Sequence, residues 1–114
     1  MPRYICKLKD NKTNVDYYLE WSTIVDAPVT FGVDFEEFKE YYLQKYGVSS
    51  ICDFRKRMEI VNTKGCSSPD YNNVEEIVSC NRAGFKEEDI TLDQIVEWYC
   101  VKKKEPDTIL RKGN

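Results

Sequence analysis

The residue best placed to do chemistry is Asp26, which is the one charge in the thirteen residues of the segment 21–33, WSTIVDAPVTFGV. A carboxylate presented from an apolar loop could act as an acid, a base or an anchor for a partner. The same residue, two positions ahead of Pro28, could instead form an Asx turn, which is a common role for Asp. The sequence favours the structural role and keeps Asp26 as the first site candidate. Hydroxyl groups that could line a cleft beside it belong to Ser22, Thr23 and Thr30.

Cysteine is the other residue type that could carry chemistry here. The five cysteines are odd in number and widely spaced, and the chain contains no histidine. This pattern argues against a disulfide framework and against a zinc site, which needs closely spaced ligands. Cys66 lies in the loop 64–73 and is predicted to be the most accessible thiol, but a catalytic cysteine usually needs a histidine base. We therefore predict no metal, no cofactor and no cysteine chemistry.

Aromatic and basic residues supply candidates for binding. Protein interfaces are enriched in Tyr, Trp and Arg, and this chain has eight Tyr and two Trp. Arg55, Lys56 and Arg57 form the one internal basic cluster, but three adjacent side chains on a helix point in different directions. The net charge of −3 also argues against binding to nucleic acid. The candidate binding residues, besides Asp26, are Tyr18, Tyr71, Trp98, Arg55 and Arg57.

An N-terminal β-hairpin is the first element expected to position these residues. Residues 3–9 and 15–22 alternate with the period of strands, and residues 10–14 have turn chemistry. Tyr17, Leu19 and Trp21 share one face, which must be covered, because a hairpin alone is marginal in water. The opposite face carries Asp16, Tyr18, Glu20 and Ser22.

A helix with an aromatic stripe follows the hairpin. Asp34 and Glu37 form a capping-box pattern, and Gly47 stands where such a helix ends. We predict that the stripe packs on the hairpin face that carries Leu19. The residues of the stripe are Phe35, Phe38, Tyr42 and either Lys45 or Tyr46.

The remaining elements are also predicted to be helical. A second helix is expected over 50–62, with a strand over 58–63 as the alternative. Asn73 can cap a short helix over 74–81, and Thr91 with Gln94 repeats the capping box ahead of a last helix that reaches about residue 102. The segment 21–34 should cross the sheet edge as extended chain or as a packed loop, since Pro28 lacks a backbone donor.

These elements predict the class α+β: an antiparallel hairpin, with a possible third strand, packed against three to four helices. One domain is expected over 1–104, followed by a short basic tail over 105–114 that contains Ile109 and Leu110. No stretch has the length of a membrane span, and the first residues lack the apolar core of a signal peptide. The expected location is therefore the cytoplasm.

No phosphate loop, catalytic triad or repeat is present, so the sequence favours a small non-enzymatic regulatory protein that binds a protein partner or forms a homo-oligomer. One alternative is a ligand-binding or hydrolytic domain with a polar cleft around Asp26. Another is a nucleic-acid-binding module that uses residues 55–57 and the lysines near the C-terminus.

The segment WSTIVDAPVTFG, ahead of a capped and Glu-rich helix, resembles small uncharacterised proteins encoded by bacteriophages and prophages. The resemblance covers residues 17–47 and carries no site residues. It implies an accessory protein that modulates a host factor or a defence system.

Overall fold

The structure is a computed structural model that describes residues 3–104, and the predicted tail lies outside this range. The α+β class is confirmed: a three-stranded antiparallel sheet precedes four helices. Two short 3-10 turns, over Val48–Ser50 and Phe85–Glu87, join helices. The elements are β1 (Arg3–Asp10), β2 (Val15–Ser22), β3 (Ala27–Pro28), α1 (Phe35–Tyr46), α2 (Ile51–Lys64), α3 (Val74–Ser79) and α4 (Leu92–Ile95), which continues as a π-helix over Val96–Val101.

The hairpin and the edge segment form as predicted. Residues Cys6 and Leu19 are direct partners in the β1–β2 register. Beyond β3 the chain continues along the free edge of β2, where Tyr18 and Val33 exchange two backbone hydrogen bonds of 2.8 and 3.0 Å. The later part of the segment 21–33, which carries Asp26 as its one charge, therefore serves as the third strand of the sheet.

The N-cap bonds predicted for Asp34, Asn73 and Thr91 are confirmed, and they fix where α1, α3 and α4 start, whereas α2 has no side-chain cap at its N-terminus. The Asp34 carboxylate accepts a hydrogen bond from the Glu37 backbone N–H at 2.8 Å. Thr91 and Gln94 form the predicted capping box. Residues 58–63 lie inside α2, so the alternative strand is wrong; α2 instead ends at Gly65, whose left-handed φ of 86° suits glycine.

The prediction that Cys66 is the most accessible thiol is wrong. Residues 65–67 pair with the outer edge of β1: the Lys7 N–H donates to the Gly65 carbonyl at 2.8 Å, and the Ser67 N–H donates to the Ile5 carbonyl at 2.9 Å. Cys66 is fully buried as a result. The residues have the composition of a loop, but the first of them form backbone hydrogen bonds with the otherwise unpaired edge of β1.

Both faces of the sheet are covered, which gives the molecule two cores. The face with Leu19 and Trp21 packs against α3, α4 and the π-helix. The face with Ile5 and Tyr18 packs against α1 and α2. The prediction that the aromatic stripe of α1 covers the Leu19 face is therefore wrong. Strand alternation showed which residues share a face, but not which helix covers it.

Candidate interaction surface

The segment after β2 faces the loop after α3 across an open cleft of about 350 Å³. The cleft lies beside Asp26, where the sequence predicted a site. Its lining residues are Val25, Ala27, Pro28, Val29, Arg82, Ala83, Gly84, Glu87 and Tyr99.

Asp26 joins the two walls of this cleft. Its backbone is left-handed, with a φ of 54°, a conformation that Asp tolerates better than most residues. Its carbonyl accepts a hydrogen bond from the Arg82 N–H at 2.7 Å, and its carboxylate Oδ2 lies 3.4 Å from Arg82 Nη2. Asp26 thus holds the turn over 23–26 against the loop after α3, and its carboxylate is neutralised by a cation.

Two hydroxyl groups that could have lined a polar cleft support the backbone instead. Ser22 Oγ accepts from the Ile24 N–H at 3.2 Å, and Thr30 Oγ1 accepts from the Glu20 N–H at 2.9 Å. The Tyr99 hydroxyl at the cleft donates to the Ala83 carbonyl at 2.8 Å. These bonds stabilise the turn and the cleft wall.

Exposed apolar side chains lie on the segment that forms one wall of the cleft: Val25 and Val29 line it, and Ile24 and Phe31 lie one and two residues away from them in the chain. Ile24 is 70% exposed and Val25 is 51% exposed, and Val29 and Phe31 each expose more than a third of their surface. The Phe31 ring lies 6.4 Å from the buried Tyr99 ring, which lines the cleft. We call Ile24, Val25, Val29 and Phe31 the interaction surface. Sequence reasoning did not single out these four residues, although the low charge of the segment was the signal that could have found them.

The outer edge of this segment is closed to further strands. The Gly32 N–H donates to the Tyr99 carbonyl at 2.9 Å, so the end of the last helix occupies the edge. A side chain at Gly32 would collide with the Cys100 sulfur, so this close approach requires glycine. Pro28 also offers no N–H. A partner would therefore have to bind the side chains of the interaction surface, because it could not extend the sheet.

The structure does not bring the other predicted binding residues together. Tyr18 is half-buried, with its ring 5.7 Å from Phe35, and burial raises its pKa with a smaller contribution from Asp16. Tyr71 and Trp98 are half-buried against the core on the Leu19 face. The Lys102 ammonium group lies 4.5 Å from the centre of the Trp98 ring.

The two arginine candidates point in different directions from α2. Arg57 Nε lies 3.0 Å from Asp53 Oδ2, and Arg57 Nη1 donates to the Arg3 carbonyl at 3.3 Å. Arg55 instead lines a groove between α1 and α2. No shared basic face is formed by this pair.

A buried carboxylate at Glu20 was missed by sequence reasoning. Glu20 is only 3% exposed, and its two oxygens each accept a hydrogen bond of 2.5 Å, from the Tyr41 and Tyr46 hydroxyls. Lys45 Nζ lies 3.4 Å away and Arg3 Nη1 lies 4.0 Å away. Burial first, and then the bond to Glu20, raises the pKa of both tyrosines. The cluster joins α1 to β2 and is satisfied within itself, so we assign it a structural role.

Within residues 3–104, no group of three or more acidic or cysteine side chains is arranged to hold a metal ion. None of the helices in that range is both long and apolar enough to span a bilayer. The chain matches no protein-family model, no curated protein and no solved structure. The interaction surface is therefore the main structural feature that bears on the function.

Proposed function

We propose that the protein is a small non-enzymatic regulatory protein that binds a protein partner through the interaction surface. The observation that carries the proposal is the group of exposed apolar side chains around the cleft beside Asp26 and Arg82. Exposed apolar patches that are rimmed by polar or charged groups are typical of protein interaction sites. Burying apolar area contributes about 25 cal/mol per Å², so a partner that covers these four side chains gains several kcal/mol.

The alternative of a ligand-binding or hydrolytic cleft has one observation in its favour: the volume of about 350 Å³ lies in the range of small-molecule sites. Against it, the Asp26 carboxylate is paired with Arg82, and the hydroxyls of Ser22 and Thr30 are bound to backbone groups. The described residues that line the cleft include no serine, threonine, cysteine or lysine that could act as a nucleophile. The nucleic-acid alternative is disfavoured because Arg55 and Arg57 diverge.

The resemblance to phage and prophage proteins suggests what the partner could be. A host factor or a component of a defence system fits a small accessory protein that acts by binding. The cytoplasm is the corresponding location. These statements are part of the proposal and assign no residue.

The test compares two equally simple surface substitutions. Ile24→Ser lies in the interaction surface, and Val48→Ser is a matched control, because Val48 is 80% exposed on the turn between α1 and α2. Partners are recovered with the tagged protein from the native cell at low and high salt and identified, and the binding of the purified partner to each variant is then measured. We expect Ile24→Ser to weaken binding at least tenfold, because burying one such hydrophobic anchor is worth about 1.5 to 3 kcal/mol. Val48→Ser should bind like the wild type.

Three results would contradict the proposal. The partner could bind Ile24→Ser and wild type equally. Nucleic acid alone could be recovered, and only at low salt. Turnover of a substrate that is lost in Asp26→Asn would favour the enzyme alternative.

A further inference from the structure

A second concave surface lies between α1 and α2, on the side of the sheet opposite the Leu19 face. This α1–α2 groove has a volume of about 290 Å³. It is separate from the interaction surface, because Phe31 packs toward Tyr99 whereas Phe35 packs toward Phe54. The groove is lined by Phe35, Lys39, Ile51, Phe54, Arg55, Met58, Glu59 and Asn62.

The floor of the groove is apolar and built largely from core side chains. Phe54 and Met58 are buried, whereas Phe35, the first residue of α1, leaves 36% of its surface exposed. The Phe35 ring lies 6.0 Å from the Phe54 ring. Met side chains adapt to differently shaped ligands, so the floor can accept an inserted apolar side chain.

The walls of the groove carry two cations without acidic partners. Among residues 3–104, neither Lys39 nor Arg55 forms an ion pair, whereas Arg57 on the same helix pairs with Asp53 and Lys45 on α1 pairs with Glu20. Glu59 is one turn from Arg55 and lines the groove, but it forms no ion pair with Arg55. The described groove therefore carries two positive charges and one negative charge, in a chain whose net charge is −3.

We propose that the α1–α2 groove binds an acidic peptide segment of a partner protein. One apolar side chain of the segment inserts against Phe35, Phe54 and Met58, and a neighbouring carboxylate pairs with Lys39 and Arg55. The apolar anchor supplies affinity, and the charge complementarity supplies specificity and a faster encounter. The groove holds one or two side chains, which is the scale of a short linear motif.

A second copy of this chain is a poorer occupant. In a two-fold dimer the same patch meets itself, so the net positive charge of one groove would be brought against the net positive charge of the other. Like charges placed together across an interface are costly. An acidic segment meets the same groove without this repulsion.

The test uses a displayed library of random twelve-residue peptides, selected against the full chain. The charge-reversed variant carries Lys39→Glu and Arg55→Glu, and the matched control carries Lys56→Glu, next to Arg55 but outside the groove lining. We expect selected peptides to carry Asp or Glu beside a Leu or an aromatic residue. They should bind the charge-reversed variant at least tenfold more weakly and bind Lys56→Glu within about twofold of wild type. The substituted side chains are on the surface, so the variants should fold, which circular dichroism checks.

A second measurement maps the site on the wild type. A selected acidic peptide should shift the backbone amide NMR signals of α1 and α2 and leave those of residues 24–31 unchanged, and selection on the charge-reversed variant should enrich basic peptides. The proposal is overturned if no peptide is enriched, or if the enriched peptides lack acidic residues. It is also overturned if these peptides bind the charge-reversed variant as tightly as the wild type, or if the NMR shifts map to residues 24–31. Finally, it is overturned if sedimentation shows that the free wild-type protein is a dimer and that the charge-reversed variant differs from it in oligomeric state, which would place the dimer contact in this groove. Failure here leaves the Ile24→Ser test unaffected, because the two surfaces share no residue.

Discussion

The two faces of the central sheet are built from different chemistry. On one face, Leu19 and Trp21 are fully buried among aliphatic side chains from α3, α4 and the π-helix, together with Tyr99 and three buried cysteines. Among the described residues, the Trp21 indole N–H is the one buried side-chain polar atom without a hydrogen-bond partner. On the other face, α1 and α2 bring aromatic rings over Ile5, and Glu20 is bound by phenols and cations. One face thus depends on packing, and the other combines packing with polar contacts.

This difference determines what each face tolerates. A packed apolar face loses stability when volume is removed, because the cavity cannot fully collapse. A face built on a buried carboxylate loses stability when one partner is removed and the other is left without its bonds. The following experiments separate these two kinds of dependence.

The largest expected effect concerns thiol reactivity. Cys6, Cys66 and Cys100 are buried on the Leu19 face, and desolvation raises the pKa of each thiol, to about 12 for Cys100. Cys52 and Cys80 are exposed. A thiol reagent at pH 8 should label two cysteines at once and the other three at least about a thousandfold more slowly, because those three react after unfolding. The double variant Cys52→Ser, Cys80→Ser should show no fast phase, and a third fast thiol in the wild type would contradict the burial of this face.

The next largest effect is expected from truncation in the apolar face. Leu19→Ala should lower the free energy of unfolding by about 2 to 5 kcal/mol, because it leaves a cavity at a fully buried position. Val15→Ala is the matched control, four residues earlier on the same strand, where the side chain is 44% exposed; it should cost about 1 kcal/mol or less. Urea unfolding measures both. Equal losses would mean that the face is not packed as described.

A smaller loss is expected on the aromatic face. Glu20→Ala should cost about 1 to 3 kcal/mol, since it leaves the phenols of Tyr41 and Tyr46 without their acceptor and Lys45 without its carboxylate, and these groups can still reach water. Combined with Tyr46→Phe, the loss should be less than the sum of the single losses, with a coupling energy of about 1 kcal/mol. Glu40→Ala on the exposed side of α1 is the control and should cost less than about 0.5 kcal/mol. Strict additivity would show that the bond between Glu20 and Tyr46 contributes nothing.

The smallest effect should appear at alkaline pH. Burial raises the pKa of Tyr41, Tyr42 and Tyr46 above the ordinary value of 10.0, so the unfolded chain releases these protons first. Their contribution to stability is complete below about pH 10 and falls as the pH rises through the folded-state values.

The urea midpoint of unfolding is measured at pH 8 and at pH 11. Its fall between the two pH values should be smaller in the variant with all three tyrosines changed to Phe than in the wild type. The buried thiols act in the same direction in both proteins, so the difference between the two proteins isolates the phenols. An equal fall in both proteins would show that these phenols titrate as they do in water.

Local sequence was sufficient to determine the individual elements of this protein. The alternation over 15–22, the turn residues before it and the caps at Asp34, Asn73 and Thr91 are interactions between residues close in the chain, and each is present in the structure. The place of the segment 21–34 at the sheet edge was also predictable, because Pro28 cannot serve a central strand. The low charge of that segment marked the site region, but not which of its residues face outward.

Only the tertiary structure decided which helix covers which face and where polar groups meet. Cys66 is buried because a distant strand edge pairs with its backbone, and Glu20 is buried because Tyr41 and Tyr46 arrive from a helix more than twenty residues away. The period of the hydrophobic residues shows which residues share a face of a strand or helix. It does not show which element covers that face. The partners are fixed by packing between elements distant in the sequence, where the fit of volumes and hydrogen bonds selects one arrangement.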